Sequence, residues 1–100
     1  MKVVSADELA AWMVNDTMHL LVDVREAFER EYFNIGGLHI PLGEMMAFRD
    51  KLPRDIPVVF YCEKGIRSQI AIQRLEAHGF ENLFNLSGGM KDWRTKQAKP

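Results

Sequence analysis

The sequence predicts an α/β fold in which a mainly parallel central β-sheet is flanked by α-helices on both faces. The apolar runs at residues 19–24 and 58–61 lack the alternation of half-exposed strands, as is typical of strands inside a parallel sheet. Segments with helical spacing separate these runs, which indicates βαβ connections. A chain of 100 residues with 47% hydrophobic content can bury one core, so we expect a single domain over residues 1–100.

The first half of the chain begins with a predicted helix. Ser5 and Glu8 have the spacing of a capping box, which predicts a helix from this point to about Met13. Gly36 and Gly37 predict a turn. The other predicted elements of this half are a buried strand at residues 19–24, a short charged helix at 25–32 and a brief strand at 38–41 that proline ends.

The second half of the chain continues the alternation of helices and strands. Two prolines predict a loop at residues 53–57, and Gly79 has the position of a helix C-cap. The predicted elements are a helix at residues 43–52, the central strand at 58–61, a helix at 69–78, a short strand at 82–86 and a final helix at 90–96 followed by a polar end.

The charge and hydropathy of the chain exclude several classes of partner. The 13 basic and 14 acidic residues give a formal net charge of −1, which provides no basic field for nucleic acid or for an anionic membrane surface. The apolar stretches are far shorter than the ~20 residues that cross a bilayer, and residues 1–5 lead into polar sequence rather than a signal-peptide core. We therefore expect a cytoplasmic protein whose partner is a small metabolite or another protein.

Cys62 is the only cysteine of the chain. A single cysteine forms no internal disulfide, no C-x-x-C redox pair and no thiolate zinc site. His19, His39 and His78 lie in different predicted elements without ligand spacing, so we expect neither a metal site nor another cofactor. Cys62 is therefore expected to act alone or with the sulfur of another molecule.

The segment that begins at Cys62 has the composition of an anion-binding loop. The residues of this segment are Cys62, Glu63, Lys64, Gly65, Ile66, Arg67 and Ser68. The thiolate is the reactive form of cysteine, and nearby cations, backbone N–H groups and helix N-termini favour it. Gly65 allows the chain to curl until successive N–H groups converge on one point, while Lys64 and Arg67 supply positive charge. The segment therefore predicts a reactive sulfur held where an anion would also bind.

Asp23 and Arg25 stand at the end of the other strongly apolar run. In parallel sheets, ligands bind beyond the carboxyl ends of the strands, where the loops begin. We therefore expect the loop after Asp23 to lie close to the loop that starts at Cys62. We interpret Asp23 and Arg25 as supporting residues that hold the strand end by hydrogen bonds.

Four short motifs follow one another along the chain. The first is Asp23-Val24-Arg25-Glu26, and the second is Cys62-x-x-Gly65-x-Arg67-Ser68. The third is Gly79-Phe80-Glu81-Asn82-Leu83, and the fourth is Asn85-Leu86-x-Gly88-Gly89-Met90-x-x-Trp93. In this order and at this spacing, they resemble the rhodanese domain family over nearly the whole chain.

The resemblance implies a small rhodanese-like fold and a sulfurtransferase activity. In such domains the loop cysteine takes sulfane sulfur from a donor, becomes a persulfide and passes the outer sulfur to an acceptor. Carried over to this chain, Cys62 is the catalytic sulfur carrier, residues 63–68 form the cradle, and Arg67 closes the loop or contacts an anionic donor. The implied partners are thiosulfate or a persulfide as donor, a thiol or cyanide as acceptor, and a sulfur-relay protein.

Glu63 is a departure from the family pattern. Relatives often have a basic or small polar residue directly after the cysteine, whereas this chain has a carboxylate. A carboxylate disfavours a neighbouring thiolate and repels anions unless the ammonium group of Lys64 points inward. This position therefore favours a persulfide donor over thiosulfate.

Three alternative interpretations of Cys62 stay open. A cysteine after a buried strand is often a small apolar core residue. Cysteine phosphatases also use a loop with Cys and Arg, but they resemble Cys followed by five residues and then Arg, whereas four residues separate Cys62 from Arg67. The domain could also carry sulfur without turnover or bind a partner protein without catalysis.

Overall fold

In the computed structural model, which describes residues 1–97, five parallel strands form one sheet with helices on both faces. No helix within this part of the chain is long and apolar enough to cross a bilayer. Along the chain, the elements are β1 (Lys2–Val4), α1 (Ala6–Val14), β2 (Leu20–Asp23), α2 (Ala27–Tyr32), β3 (Leu38–His39), a 3-10 helix (Leu42–Lys51), β4 (Val58–Tyr61), α3 (Ile66–Glu76), β5 (Leu83–Leu86) and α4 (Gly89–Gln97).

The strands lie in the order β1-β5-β4-β2-β3, so β4 is the central strand. It pairs with β2 from Leu20 opposite Val58 to Asp23 opposite Tyr61. Beyond this ladder, the N–H of Val24 donates to the carbonyl oxygen of Tyr61 at 3.1 Å. The two strands therefore end at the same edge of the sheet, and the segments that follow them begin side by side.

Neighbouring residues of the central strands enter two separate cores, one on each face of the sheet. Val22 and Phe60 belong to one core, whereas Leu21 and Val59 belong to the other. Each large apolar side chain buried in this way contributes about 1.5–3 kcal/mol. The helical contributions are Met45, Ala71, Ile72 and Leu75 on one face, and Ala6, Leu9, Met90 and Trp93 on the other.

The structure confirms the predicted fold class and several of the predicted elements. The capping box of α1 is formed in both directions: the N–H of Ser5 donates to Glu8 Oε1 at 2.9 Å, and the N–H of Glu8 donates to Ser5 Oγ at 3.1 Å. The central strand has the predicted bounds, Val58–Tyr61. Of the polar end predicted after the last helix, residues 98–100 lie outside the described residues.

Two elements differ from the sequence prediction in existence or kind. The sequence does not predict strand β1, because a segment of three residues is too short to show an apolar run. Of these residues Val4 alone is buried, and the segment is a strand because it pairs with β5. The helix predicted at residues 43–52 is a 3-10 helix over Leu42–Lys51. Most other bounds differ by one or two residues.

The helix predicted at residues 69–78 begins three residues earlier than expected. It spans Ile66–Glu76, with Gly65 as N-cap at a φ of +94° and Ala77, rather than Gly79, as C-cap. A glycine in this conformation turns the chain from the loop into the helix without an intervening segment. The early start matters because it places Ile66, Arg67 and Ser68 in the first helical turn.

Candidate active site around Cys62

The sulfur of Cys62 lies at the carboxyl end of β4 and accepts hydrogen bonds from the segment that follows. The N–H of Gly65 lies 3.1 Å from Sγ, and the N–H of Ser68 lies 3.4 Å from it. The hydroxyl oxygen of Ser68 lies 3.3 Å from Sγ. Of the backbone N–H groups predicted to surround the sulfur, from Glu63 to Ser68, these two make the contact.

The N-terminus of α3 supplies one of these two N–H groups. The first N–H groups of a helix have no partner within the helix, and they carry partial positive charge toward whatever lies beyond its end. Here the N–H of Ser68, the third residue of α3, points at Sγ. The second half of the predicted cradle, residues 66–68, is therefore the first turn of α3, and it faces the sulfur.

The N-terminus of α4 holds the other side of the loop. The N–H of Met90 donates to the carbonyl oxygen of Cys62 at 2.8 Å, and the N–H of Lys91 donates to that of Glu63 at 2.9 Å. This approach requires Gly89, because a Cβ there would lie 2.4 Å from the carbonyl oxygen of Cys62 and 2.6 Å from that of Glu63. The loop backbone is thus fixed by a helix 25 or more residues further along the chain.

Asn85, which the sequence reasoning did not select as a site residue, joins both halves of the sulfur cradle. Its Nδ2 donates to the carbonyl oxygen of Gly65 at 3.0 Å, and its Oδ1 accepts from the hydroxyl of Ser68 at 2.5 Å. Asn85 is buried in β5, next to the central strand. The available signal was a polar residue inside a short apolar strand.

Arg67 is paired with Glu29 of α2. Its Nη1 and Nη2 lie 2.7 Å and 2.8 Å from the two carboxylate oxygens of Glu29. The hydrogen bonds from Arg67 hold the pKa of Glu29 well below its ordinary value of 4.5, at about 2. Arg67 therefore ties the first turn of α3 to α2, and Glu29 is a partner that the sequence did not reveal.

The carboxylate of Glu63 is paired with Arg94 rather than offset by Lys64. One guanidinium nitrogen of Arg94 lies 3.1 Å from Glu63 Oε1, and a second contacts Oε2. The hydrogen bonds from Arg94 lower the pKa of Glu63. Lys64 is exposed, and Arg94 of α4 supplies the cation that offsets the carboxylate of Glu63.

Asp23 and Arg25 form a buried ion pair at the end of β2. Arg25 Nε lies 2.9 Å from Asp23 Oδ1 and Nη2 lies 3.0 Å from Oδ2, while the same Nη2 donates to the carbonyl oxygen of Phe33 at 2.6 Å. Burial opposes the charge of Arg25, but the hydrogen bonds and charge of Asp23 raise its pKa above the ordinary value. These contacts hold the strand end to the chain after α2.

Two adjoining cavities open at this edge of the sheet. We call the first the sulfur cavity; its volume is about 390 Å³ and its lining residues are Glu29, Cys62, Glu63, Lys64, Ile66 and Arg67. We call the second the aromatic cavity; its volume is about 490 Å³ and its lining residues are Arg25, Phe28, Glu29, Tyr32, Glu63 and Arg94. Glu29 and Glu63 line both. Cys62 is 1% exposed, and it lines the inner part of the site as one of the residues of the sulfur cavity.

Comparison with known protein families identifies the family of this chain. The family model described as Rhodanese-like domain matches residues 5–96. The chain belongs to the rhodanese-like domain family. A rhodanese-related protein from Thermoplasma volcanium has a solved structure with a TM-score of 0.84 and 26% sequence identity, covering 100% of this chain and 96% of that one.

Two curated relatives of this rhodanese-like chain match most of its length. The uncharacterized protein YqhL of Bacillus subtilis is 39% identical over 77 residues, which are 76% of this chain and 61% of that protein. A Coxiella burnetii protein named thiosulfate sulfurtransferase GlpE is 32% identical over 89 residues, which are 86% of this chain and 82% of that protein. These matches support sulfur transfer as the general chemistry of the family to which the chain belongs.

Replacing Gly89 with Ala should destabilise the protein, because the new Cβ would overlap backbone oxygens of Cys62 and Glu63. We expect the free energy of unfolding, measured by urea denaturation, to fall by about 2–3 kcal/mol more than in Gly36→Ala. Gly36 is the matched control, since its φ of +92° is also positive but a Cβ there meets nothing within 4 Å. Equal losses in the two variants would contradict the close approach of α4 to the loop.

Replacing Glu29 with Gln should remove a pH-dependent contribution to stability. A carboxyl group whose pKa is lowered by folding stabilises the protein above its unfolded pKa, and this stabilisation is lost as the pH falls from about 4.5 toward about 2. We expect wild type to be more stable than Glu29→Gln by about 1 kcal/mol at pH 7, because solvent screens the partly exposed Arg67.

Urea denaturation of both proteins between pH 7 and pH 3 measures this difference. We expect the difference in free energy of unfolding between wild type and Glu29→Gln to shrink as the pH falls from 7 to 3. The exposed Glu31→Gln variant should show no comparable trend. A difference that stays constant down to pH 3 would contradict the Glu29–Arg67 pair as the source.

Proposed function

We propose that this rhodanese-like domain is a sulfurtransferase that moves sulfane sulfur through a persulfide on Cys62. The observation that carries the proposal is the position of the Gly65 and Ser68 N–H groups, at 3.1 Å and 3.4 Å from Sγ. Donors aimed at one sulfur stabilise the negative charge of a thiolate and of the persulfide anion that replaces it. A cysteine that served only as core packing would not need them.

The proposed first step loads Cys62 with sulfur. The thiolate of Cys62 attacks the sulfane sulfur of the donor, so that a new Sγ–S bond forms. The bond between that sulfur and the rest of the donor breaks, and its electron pair leaves with sulfite when the donor is thiosulfate or with a thiolate when the donor is a persulfide. No external oxidant or reductant is consumed, because the outer sulfur keeps its oxidation level.

The proposed second step unloads Cys62. A thiolate or cyanide attacks the outer sulfur, the Sγ–S bond breaks, and its electron pair returns to Sγ as the thiolate. The product is a new persulfide or thiocyanate. The sulfur cavity of about 390 Å³ has room for a small donor and then for an acceptor.

The neighbouring residues have positioning roles in this proposal. Arg67 holds the first turn of α3 in place through its ion pair with Glu29. Asn85 holds Gly65 and Ser68, whose N–H groups donate hydrogen bonds to the sulfur. Lys64 is the exposed cation at the rim and would attract an anionic donor. Asp23 and Arg25 keep the neighbouring strand end in place, and the expected setting is the cytoplasm, where a sulfur-relay protein could act as donor or acceptor.

Wild-type protein treated with thiosulfate or with a small hydropersulfide should gain the mass of one sulfur atom, because Cys62 becomes a persulfide. The measurement is intact mass spectrometry, with Cys62→Ser as the matched control, which should gain none. Cyanide added afterwards should restore the original mass and release thiocyanate. An unchanged wild-type mass with every donor would overturn the proposal.

The cyanide step separates an enzyme from a carrier without turnover. A loaded protein that releases thiocyanate repeatedly, in excess of the protein present, acts as a sulfurtransferase. A loaded protein that keeps its sulfur in the presence of cyanide and thiols would instead be a carrier that needs a specific partner, and the proposed turnover would be wrong.

A further inference from the structure

The aromatic cavity has no part in the sulfur transfer described above. It has a volume of about 490 Å³, and it adjoins the sulfur cavity through Glu29 and Glu63, which line both. Cavities of a few hundred Å³ beside a reactive group are common sites for the non-reacting part of a substrate. A molecule whose reactive sulfur enters the sulfur cavity can therefore extend into the aromatic cavity.

Two exposed aromatic side chains of α2 form the apolar part of the wall of this cavity, and its other lining residues are charged. Phe28 and Tyr32 lie one helical turn apart on α2 and line it together, although they are 73% and 89% exposed. Two large aromatic side chains left in water at the same place indicate a binding surface rather than a core. Their flat faces would bind an apolar organic group.

The charges around both cavities are largely neutralised within the protein. Each arginine that lines them has a carboxylate partner: Arg25 pairs with Asp23, Arg67 with Glu29 and Arg94 with Glu63. Lys64 lines the sulfur cavity outside these pairs, and it is exposed to solvent. An inorganic dianion such as thiosulfate would gain little attraction from the paired arginines, and solvent would screen its attraction to Lys64.

We propose that the preferred sulfur donor is an organic persulfide, R–S–SH, whose R group lies in the aromatic cavity against Phe28 and Tyr32. Glu63 selects against dianionic thiosulfate by holding the charge of Arg94 in an ion pair. This inference rests on the proposed function, because it specifies the substrate class of that same site.

The transfer from such a donor balances without a further reactant. The thiolate of Cys62 attacks the outer sulfur of R–S–SH, and the S–S bond of the donor breaks. Its electron pair leaves as R–S⁻, and the proton stays on the transferred sulfur, giving Cys62–S–SH. Thiosulfate can undergo the same attack, but it has no organic group to contact the aromatic cavity.

The first experiment compares benzyl hydropersulfide with methyl hydropersulfide, each released from a precursor in the assay. These donors share the reacting S–SH group and differ in the organic group. We expect kcat/KM of wild type to be about tenfold higher for the benzyl donor than for the methyl donor. Burying a ring against two aromatic side chains strengthens binding by about that factor. In Phe28→Ala/Tyr32→Ala the ratio should fall toward 1, whereas the exposed Val14→Ala control on α1 should keep the wild-type ratio.

The second experiment measures thiosulfate use by Glu63→Gln. Freeing Arg94 and removing one negative charge should raise kcat/KM for thiosulfate by about tenfold, with a smaller change for methyl hydropersulfide. The gain should decline as salt is added, because screening weakens the attraction of an unpaired cation. The control is Glu44→Gln, which removes an exposed carboxylate of the 3-10 helix and should leave thiosulfate use unchanged.

The outcomes distinguish this inference from the proposed function. Failure of every donor to load Cys62 would overturn the proposed function itself. Loading that is faster with thiosulfate than with benzyl hydropersulfide, or equal for the benzyl and methyl donors, would overturn the inference and leave sulfur transfer standing. Loading by a persulfidated protein alone, with small persulfides no better than thiosulfate, would also overturn it by making the aromatic cavity a protein-docking surface.

Discussion

The central position of β4 in an all-parallel sheet is the constraint on which the site depends. Its residues Val58–Tyr61 are buried on both faces, and the strand is paired on one side with β2 and on the other with β5. Pairing on both sides fixes the position of this strand in the sheet. The position of Cys62 is fixed with it, because Cys62 follows the strand directly. The parallel neighbours end at the same edge, where β2 presents Asp23 and β5 presents Asn85.

The hydrogen bonds of the loop after β4 explain how N–H groups become available to a sulfur. The carbonyl oxygens of Cys62 and Glu63 are taken by the first N–H groups of α4, and that of Gly65 is taken by Asn85. Because buried polar groups need partners, these contacts leave a single arrangement of the loop. Gly65 and Ser68 then direct their N–H groups at Sγ before any ligand arrives, which is the preorganisation that electrostatic stabilisation requires.

Ion pairs between distant parts of the chain complete the site. Glu29 on α2 pairs with Arg67 on α3, and Glu63 after β4 pairs with Arg94 on α4. Each pair is partly exposed, so its contribution to stability is modest, but each fixes the position of an element beside the sulfur. The same pairs neutralise the arginines that would otherwise attract small anions. Stability and the proposed donor preference therefore depend on the same side chains.

The sequence by itself determined the features that follow from local pattern: the capping box at Ser5, the apolar run of β4, the thiol at its end and the glycine that lets the chain curl after it. These could be predicted because their causes lie within a few residues. The tertiary structure decided the partners of Arg67 and Glu63, since Glu29 and Arg67 stand 38 positions apart and Glu63 and Arg94 stand 31 apart. Which charges meet depends on how α2 and α4 pack against the sheet, and no local pattern encodes that packing.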